Sequence, residues 1–330
     1  MWKSLKDRAE GVKEMKRMKT TEAVGQVLCH DITQIIPGVT KDAVFRKGHI
    51  IREEDIPVLL SVGKDSVYIW ENDETMMHEN DAAEVLYRMT ANEHMHPSDV
   101  KEGKIEAIAD TEGLLKVDRE KLKKVNAFGE MMIATRHGNT VVKKGDKLAG
   151  TRIIPLVIKK DKMQEAEKIC DGTPILKILP FTVKKAAIIT TGNEVYHGRI
   201  KDAFTPVIEQ KIAEFGAEMM FHEIFDDNDR KITDGCLRAI EAGADIVFCT
   251  GGMSVDPDDK TPLAIKNTGA DIVSYGAPVL PGAMFMLSYY RKGDKVIPIC
   301  GLPGCAMYNR RTIFDLVLPR LMAAASNEPV

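Results

Sequence analysis

Ile246-Val247-Phe248, an apolar run with no polar interruption that leads directly into Cys249-Thr250-Gly251-Gly252, constrains the fold of this chain more than any other stretch. A run of this kind suits a strand covered on both faces, so the sheet that holds it needs a layer above and a layer below. The two glycines then permit backbone angles that other residues resist. A loop carrying Ser254, Asp256, Asp258 and Asp259 follows, and Thr261-Pro262 is expected to open a helix, with the threonine as N-cap and the proline at the first helical position. Strand, glycine turn, acidic loop and helix start are together suited to a phosphorylated ligand and its metal. Backbone N–H groups face the anion, and carboxylates take the magnesium.

The same rhythm runs through the whole stretch after Pro180. Strands are expected at 185–191, 217–225, 272–276, 284–290 and 296–300. Helices are expected from an Asp202 cap to Gly216, then at 230–242, at 263–267 and, as one long helix, at 306–323. Alternation of this kind predicts an α/β fold with a mostly parallel sheet and helices on both faces. Ligands of such sheets bind beyond the carboxyl ends of the strands, where every polar motif of this region falls.

The preceding half reads differently. Residues 1–20 form a basic, helix-prone leader, and 21–75 a short α+β segment with strands at 24–32 and 67–70, a turn at Pro37-Gly38, and a helix capped by Asp55 and closed by Gly63. An acidic, polar stretch at 71–80 suggests a boundary. A β-rich middle domain over 76–180 follows, with strands at 105–110, 114–117, 131–137, 140–142 and 153–158 and helices at 82–90 and 161–170. Glu93, His94 and His96 have metal-binding chemistry but no completing ligand, so a solvated loop is the simpler reading. Arg136, His137, Lys143 and Lys144 make a local basic patch.

Composition narrows the classes. The 330 residues are 44% hydrophobic and 29% charged, which supports a soluble globular protein. A net charge of -3 argues against a general nucleic-acid binder. No apolar run approaches the roughly 20 residues of a membrane span, and the first residues lack the apolar core of a signal peptide. None of the six cysteines forms a CxxC pair, a pattern that fits reduced thiols and a cytoplasmic setting.

Four ordered motifs carry a resemblance: Thr190-Thr191-Gly192-Asn193-Glu194, Thr250-Gly251-Gly252-Met253-Ser254-Val255 with a later aspartate, Pro281-Gly282, and Gly301-Leu302-Pro303-Gly304. In this order they resemble the molybdopterin-binding domain of MoeA-like, MogA-like and gephyrin proteins of molybdenum-cofactor biosynthesis. The resemblance covers roughly 181–325. Over 21–180 the weaker similarity suggests a divergent, multi-domain MoeA-like arrangement. It implies binding of molybdopterin or its adenylylated form with Mg2+. Asp259, Glu194 and Asp226 match the family's acidic residues, implied as catalytic residues and metal ligands. The ligand is implied to lie against Thr191, Gly192, Thr250, Gly251, Gly252, Ser254, Pro281, Gly282, Gly301, Pro303, Gly304 and Cys305. A homo-oligomer is implied as well, with other cofactor-biosynthesis proteins or molybdoenzymes as partners.

The departures bear on chemistry. Ser254-Val255-Asp256 replaces the family's Ser-Val-Gly, Leu280-Pro281-Gly282-Ala283 lacks both lysines of Lys-Pro-Gly-Lys, and Gly-Leu-Pro-Gly continues as Cys305-Ala306. The family's N-terminal loop that reaches the site is missing. Fewer cations weaken the hold on a free oxyanion such as molybdate, so three readings stand: a metal-assisted transferase acting at the pterin phosphate or dithiolene, a non-turnover carrier or sensor of the cofactor, and a nucleotide pyrophosphatase on the same fold. Cys305 is expected at a helix N-terminus, where a thiolate is favoured, although a buried inert thiol is the ordinary alternative.

Overall fold

The run that opened the sequence is a strand, Ile246–Thr250, buried at all five positions. In the computed structural model, which describes residues 16–36, 40–69, 75–254 and 256–323, this strand lies inside a six-stranded sheet. Its members in chain order are β1 (Lys185–Thr191), β2 (Glu218–Phe225), β3 (Ile246–Thr250), β4 (Asp271–Tyr275), β5 (Met286–Lys292) and β6 (Lys295–Leu302). Across the sheet the order is β2-β1-β3-β6-β5-β4. The first four are mutually parallel, whereas β5 runs antiparallel to both β6 and β4.

Strand alternation splits the apolar residues between two cores. On one face Ile188, Phe248 and Cys300 pack with Ile208 and Ile212 of α1 (Phe204–Ala213) and with Phe314, Leu318 and Leu321 of α4 (Ile313–Ala323). On the other, Ala187, Ile189, Val247, Cys249 and Ile299 pack with Ile232, Cys236 and Ile240 of α2 (Asp229–Glu241) and with Ala264 and Ile265 of α3 (Thr261–Asn267). The expected α/β sheet with helices on both faces is therefore present.

Several expected elements differ. Thr261 is the first residue of α3 and makes no cap. Lys260 holds the N-cap position, and the Thr261 hydroxyl turns instead to Thr191. The expected helix 306–323 is two pieces, a 3-10 turn at Gly304–Met307 and α4. The Thr312 N–H donates to the Asp315 carboxylate at 2.7 Å, a local bond that starts the second piece afresh. Ala203 holds the N-cap position of α1, and the expected Asp202, one residue earlier, supplies the capping bonds, accepting from the N–H groups of Phe204 at 2.8 Å and Thr205 at 3.1 Å.

The chain divides into two compact units, one of residues 1–110, 117–137 and 144–177, the other of 111–116, 138–143 and 178–330. The second thus takes two strands from the stretch expected to form a separate middle domain. Gly113–Val117 and Thr140–Val142 join Leu176–Leu179 in a three-stranded sheet, and Leu114 enters the core of α1 and α4. In the first unit the end of the expected helical leader is a strand, Lys16–Lys19, paired antiparallel with Ser66–Ile69, because backbone pairing and the core residues Leu28, Val67 and Ile69 outweigh local helix propensity. Residues 1–15, the Pro37-Gly38 turn and Trp70 lie outside the described residues. Val27 and Leu28 make only isolated bridges where a strand over 24–32 was expected. Asp55 begins its helix without capping it, its carboxylate taken by Arg52 N–H and His49.

The strand expected at 153–158 is replaced by Lys147–Ile153 and Val157–Lys159. The former sits in a four-stranded sheet ordered Met95–Pro97, Lys104–Ala109, Lys147–Ile153, Met131–Thr135. Helix Glu79–Thr90 covers one face of that sheet. At its edge the Asn126 amide, from the unanticipated helix Arg119–Ala127, donates to the Ile133 carbonyl at 3.0 Å and accepts the Ile133 N–H at 2.8 Å. As a test of the six-stranded core, Phe248→Ala, which removes the ring stacked edge-on against Phe314 at 5.3 Å, is expected to cost about 3–5 kcal/mol in urea denaturation.

Candidate functional site

The carboxyl ends of β1 and β3 touch. Gly251 has φ +83°, and a Cβ there would lie 2.1 Å from the Thr191 carbonyl oxygen. Only glycine satisfies both the angle and the space. With that approach made, the Thr191 and Thr261 hydroxyls meet at 3.0 Å in a buried pair, tying the end of β1 to the start of α3. Gly252 sits over the same pair. Thr250, fully buried at the end of β3, has a hydroxyl with no hydrogen-bond partner among the described residues. Buried polar atoms are nearly always paired, so this orphan, on the residue directly before the two glycines, is an exception at the strand end.

The other strand-end motifs fall on the same edge. Pro281-Gly282 lies between the end of β4 and the start of β5, packed on the first residue of α4, with Gly282 against Ile313. Gly301 is inside β6 under Met253, and Gly304 faces open space. Pro303 is the N-cap of the Gly304–Met307 turn. Cys305 is half-buried in that turn, which is too short to act as a helix N-terminus toward a thiol; its carbonyl accepts from Asn309. Tyr275 donates its hydroxyl to the Met253 carbonyl at 3.1 Å and so props the glycine loop from β4. Burial, then the charge of Asp259, pushes this phenol up.

The carboxylates arrange themselves differently from the sequence expectation. Asp226 is paired with Lys231 at 2.8 Å. Its neighbour Asp227 accepts the Asn193 N–H at 3.1 Å, and its carboxyl is held above the ordinary range, first by burial and then by the charges of Glu194, Asp259 and Asp258. The Glu194 carboxylate folds back over Gly192. Asp227 is thus the acid after β2 that shares a field with Glu194 and Asp259, and it was missed. The adjacent pair Asp226-Asp227 reads alike in sequence. Among the described residues, no group of three or more His, Cys, Asp or Glu side chains is gathered closely enough to hold a metal ion by itself.

A polar network backs β1. Thr190 and Thr205 both donate to the Asp202 carboxylate, at 3.0 and 2.5 Å, and both hydroxyls lie within 3.2 Å of His222 Nε2. Burial would raise the Asp202 carboxyl, but these bonds and the two cap N–H groups outweigh it and hold it low.

Comparison with known proteins fits this geometry. A family model described as "Probable molybdopterin binding domain" matches residues 187–323, the span of the six-stranded sheet and its edge. This region belongs to the molybdopterin-binding domain family. A second model, of a domain of unknown function, matches residues 17–71. Curated relatives named "Putative competence-damage inducible protein" include one from Bacillus subtilis strain 168, 32% identical over 85 residues, which is 26% of this chain and 20% of the relative. Another, from Bacillus cereus strain B4264, is 32% identical over 129 residues, 39% of this chain and 30% of the relative. The chain therefore spans less than a third of the length of these relatives. Among solved structures, a tungsten cofactor synthesizing protein MoaB from Pyrococcus furiosus overlaps 42% of this chain and 91% of its own, at 19% identity and a TM-score of 0.33. The protein CinA from Thermoplasma acidophilum overlaps 42% and 98%, at 18% identity and a TM-score of 0.35. At those scores the structural likenesses add no weight to the family match.

Two outcomes test this geometry. Gly251→Ala forces a Cβ against the Thr191 carbonyl at positive φ and is expected to cost at least about 1–2 kcal/mol in thermal or urea unfolding. Because the Asp227 carboxyl is raised, the folded state holds its proton more tightly than the unfolded state. Its charge therefore lowers stability at neutral pH, and the penalty fades as pH falls through the ordinary value of 3.8. Asp227→Asn is expected to raise the melting temperature at pH 7 and leave it unchanged near pH 3.

Proposed function

We propose that the second unit binds molybdopterin or its adenylylated form at the carboxyl edge of the sheet, as one step of molybdenum-cofactor biosynthesis or maturation. What supports this most is the coincidence of the family match with a sheet edge where Gly251 and Gly252 pack against Thr191 and Thr261 and the preceding Thr250 keeps a buried, unpartnered hydroxyl. The flat pterin would lie against this cradle and against Ser254, Pro303 and Gly304, and the ligand's phosphate would face the loop N–H groups.

Magnesium fits the donor set in a particular way. This ion usually keeps several waters and takes one or two protein carboxylates beside a ligand phosphate, so a gathered cage is not required. Asp227 and Asp259 would supply that pair, with Glu194 steering by charge and Asp226 engaged by Lys231. When bound, the ion would offset phosphate charge. Asp227 and Asp259 would hold the metal side of the ligand, and the Thr191–Thr261 hydroxyl pair would keep the two loops in register around it. The absence of both family lysines beside Pro281 favours a carrier over a molybdate-inserting transferase. The MoeA-like multi-domain arrangement, self-association and partner molybdoenzymes belong to the same proposal.

Calorimetric titration of the purified chain with molybdopterin, with and without magnesium, tests it. Binding is expected to need magnesium and to weaken at least tenfold, about 1.4 kcal/mol, in Asp259→Ala and in Asp227→Asn. No binding under any condition sinks the cofactor reading. Release of AMP from the adenylylated pterin would single out an enzyme, whereas binding without turnover would single out a carrier.

A further inference from the structure

The first unit carries an open groove of about 390 Å³ on the uncovered face of its four-stranded sheet. All twelve lining residues lie in that unit. Strand register explains its shape. Lys104, Arg152 and Met132 stand opposite one another in one row, and Glu106, Gly150 and Ala134 in the next. Side chains in such rows stand about 4.5–5.5 Å apart on one face, so long residues beside small ones leave a trough. Gly150 and Ala134 form its floor. Arg152 stands at one end and Arg136 at the other, and Lys104 and Lys147 lean in along the strands so that both ammoniums meet at Glu106 between them.

Among the described residues, nothing forces the floor to be small at 150. A Cβ there would meet only the Lys104 Cε, at an ordinary 3.5 Å. The lining holds four cations and one carboxylate. That carboxylate, Glu106, holds both lysine ammoniums, at 2.7 Å from Lys104 and 2.6 Å from Lys147. Arg136 forks onto Asp146 at 3.0 and 3.1 Å. Arg152 donates its Nε to the Ile153 carbonyl, and its terminal nitrogens have no hydrogen-bond acceptor among the described residues. Exposed ion pairs of this kind exchange partners at small cost. A shallow apolar floor with a cationic rim suits a flat ring bearing anionic oxygens, and guanidinium planes both stack on rings and fork onto phosphate. The volume falls at the lower end of small-ligand pockets, roughly 300–1,000 Å³.

We propose that this trough binds a planar heterocycle carrying a phosphate, a chemistry shared by nucleotides and pterin monophosphates. Titration of the full chain with AMP, a pterin monophosphate, adenosine and inorganic phosphate, together with amide hydrogen exchange, tests it. At least one of the two phosphorylated rings is expected to bind, the tighter one naming the source. Adenosine, lacking charge, and inorganic phosphate, lacking the ring, are expected to bind at least tenfold more weakly. Exchange should slow at 131–136 and 147–152. Gly150→Leu, which fills the floor, and Arg152→Glu, which reverses the rim, should each weaken binding at least tenfold. Failure of both phosphorylated rings to bind at millimolar concentration overturns the assignment. So does slowed exchange confined to other segments, or unchanged affinity in both variants.

Discussion

The approach of Gly251 to the Thr191 carbonyl sets the position of everything else at the sheet edge. A Cβ would sit 2.1 Å from that oxygen, so the two neighbouring strand ends converge only because the side chain is absent. Once they converge, the Thr191 and Thr261 hydroxyls can pair, which ties the start of α3 to the end of β1. The acidic loop then faces Asp227 across the edge. Remove the close approach and the hydroxyl pair opens, leaving α3 held by Ala264 and Ile265 in the core and by the Thr233 hydroxyl on the Ala264 carbonyl.

This local constraint rests on a sheet that cannot easily give way. β3 is covered on both faces, and its residues alternate between a core with Phe314 and Ile208 and another with Ile232 and Ala264. Two dry faces hold the strand ends rigidly, so the edge can carry an unpaired hydroxyl and several like charges whose local cost is not recovered locally. Stability is generated in the layers, and the polar chemistry is confined to where they stop.

Much of this was legible in the residues. The strand Lys185–Thr191 and the buried run of β3 declare themselves by uninterrupted apolar character bounded by glycine. The Asp202 cap declares itself because capping is local. What stayed hidden was settled by partners distant in sequence. The Thr261 hydroxyl abandons its cap for a threonine 70 residues earlier. Asp226 and Asp227 cannot be told apart by type, since consecutive residues leaving a strand point in different directions, and only the fold shows that one meets Lys231 while the other meets Glu194 and Asp259. The strand of the leader, Lys16–Lys19, depends on a partner near residue 67. The assignment of Thr111–Lys116 to the second unit likewise follows from tertiary packing.

The Asn126 amide at the rim of the four-stranded sheet has a meaning beyond its two bonds. Met131–Thr135 is an outer strand, and such strands offer ready templates to passing chains. By occupying both backbone groups of Ile133, one side chain puts a cork in that template. Growth by strand addition is halted at its middle, while the broad face beside it stays open to solution.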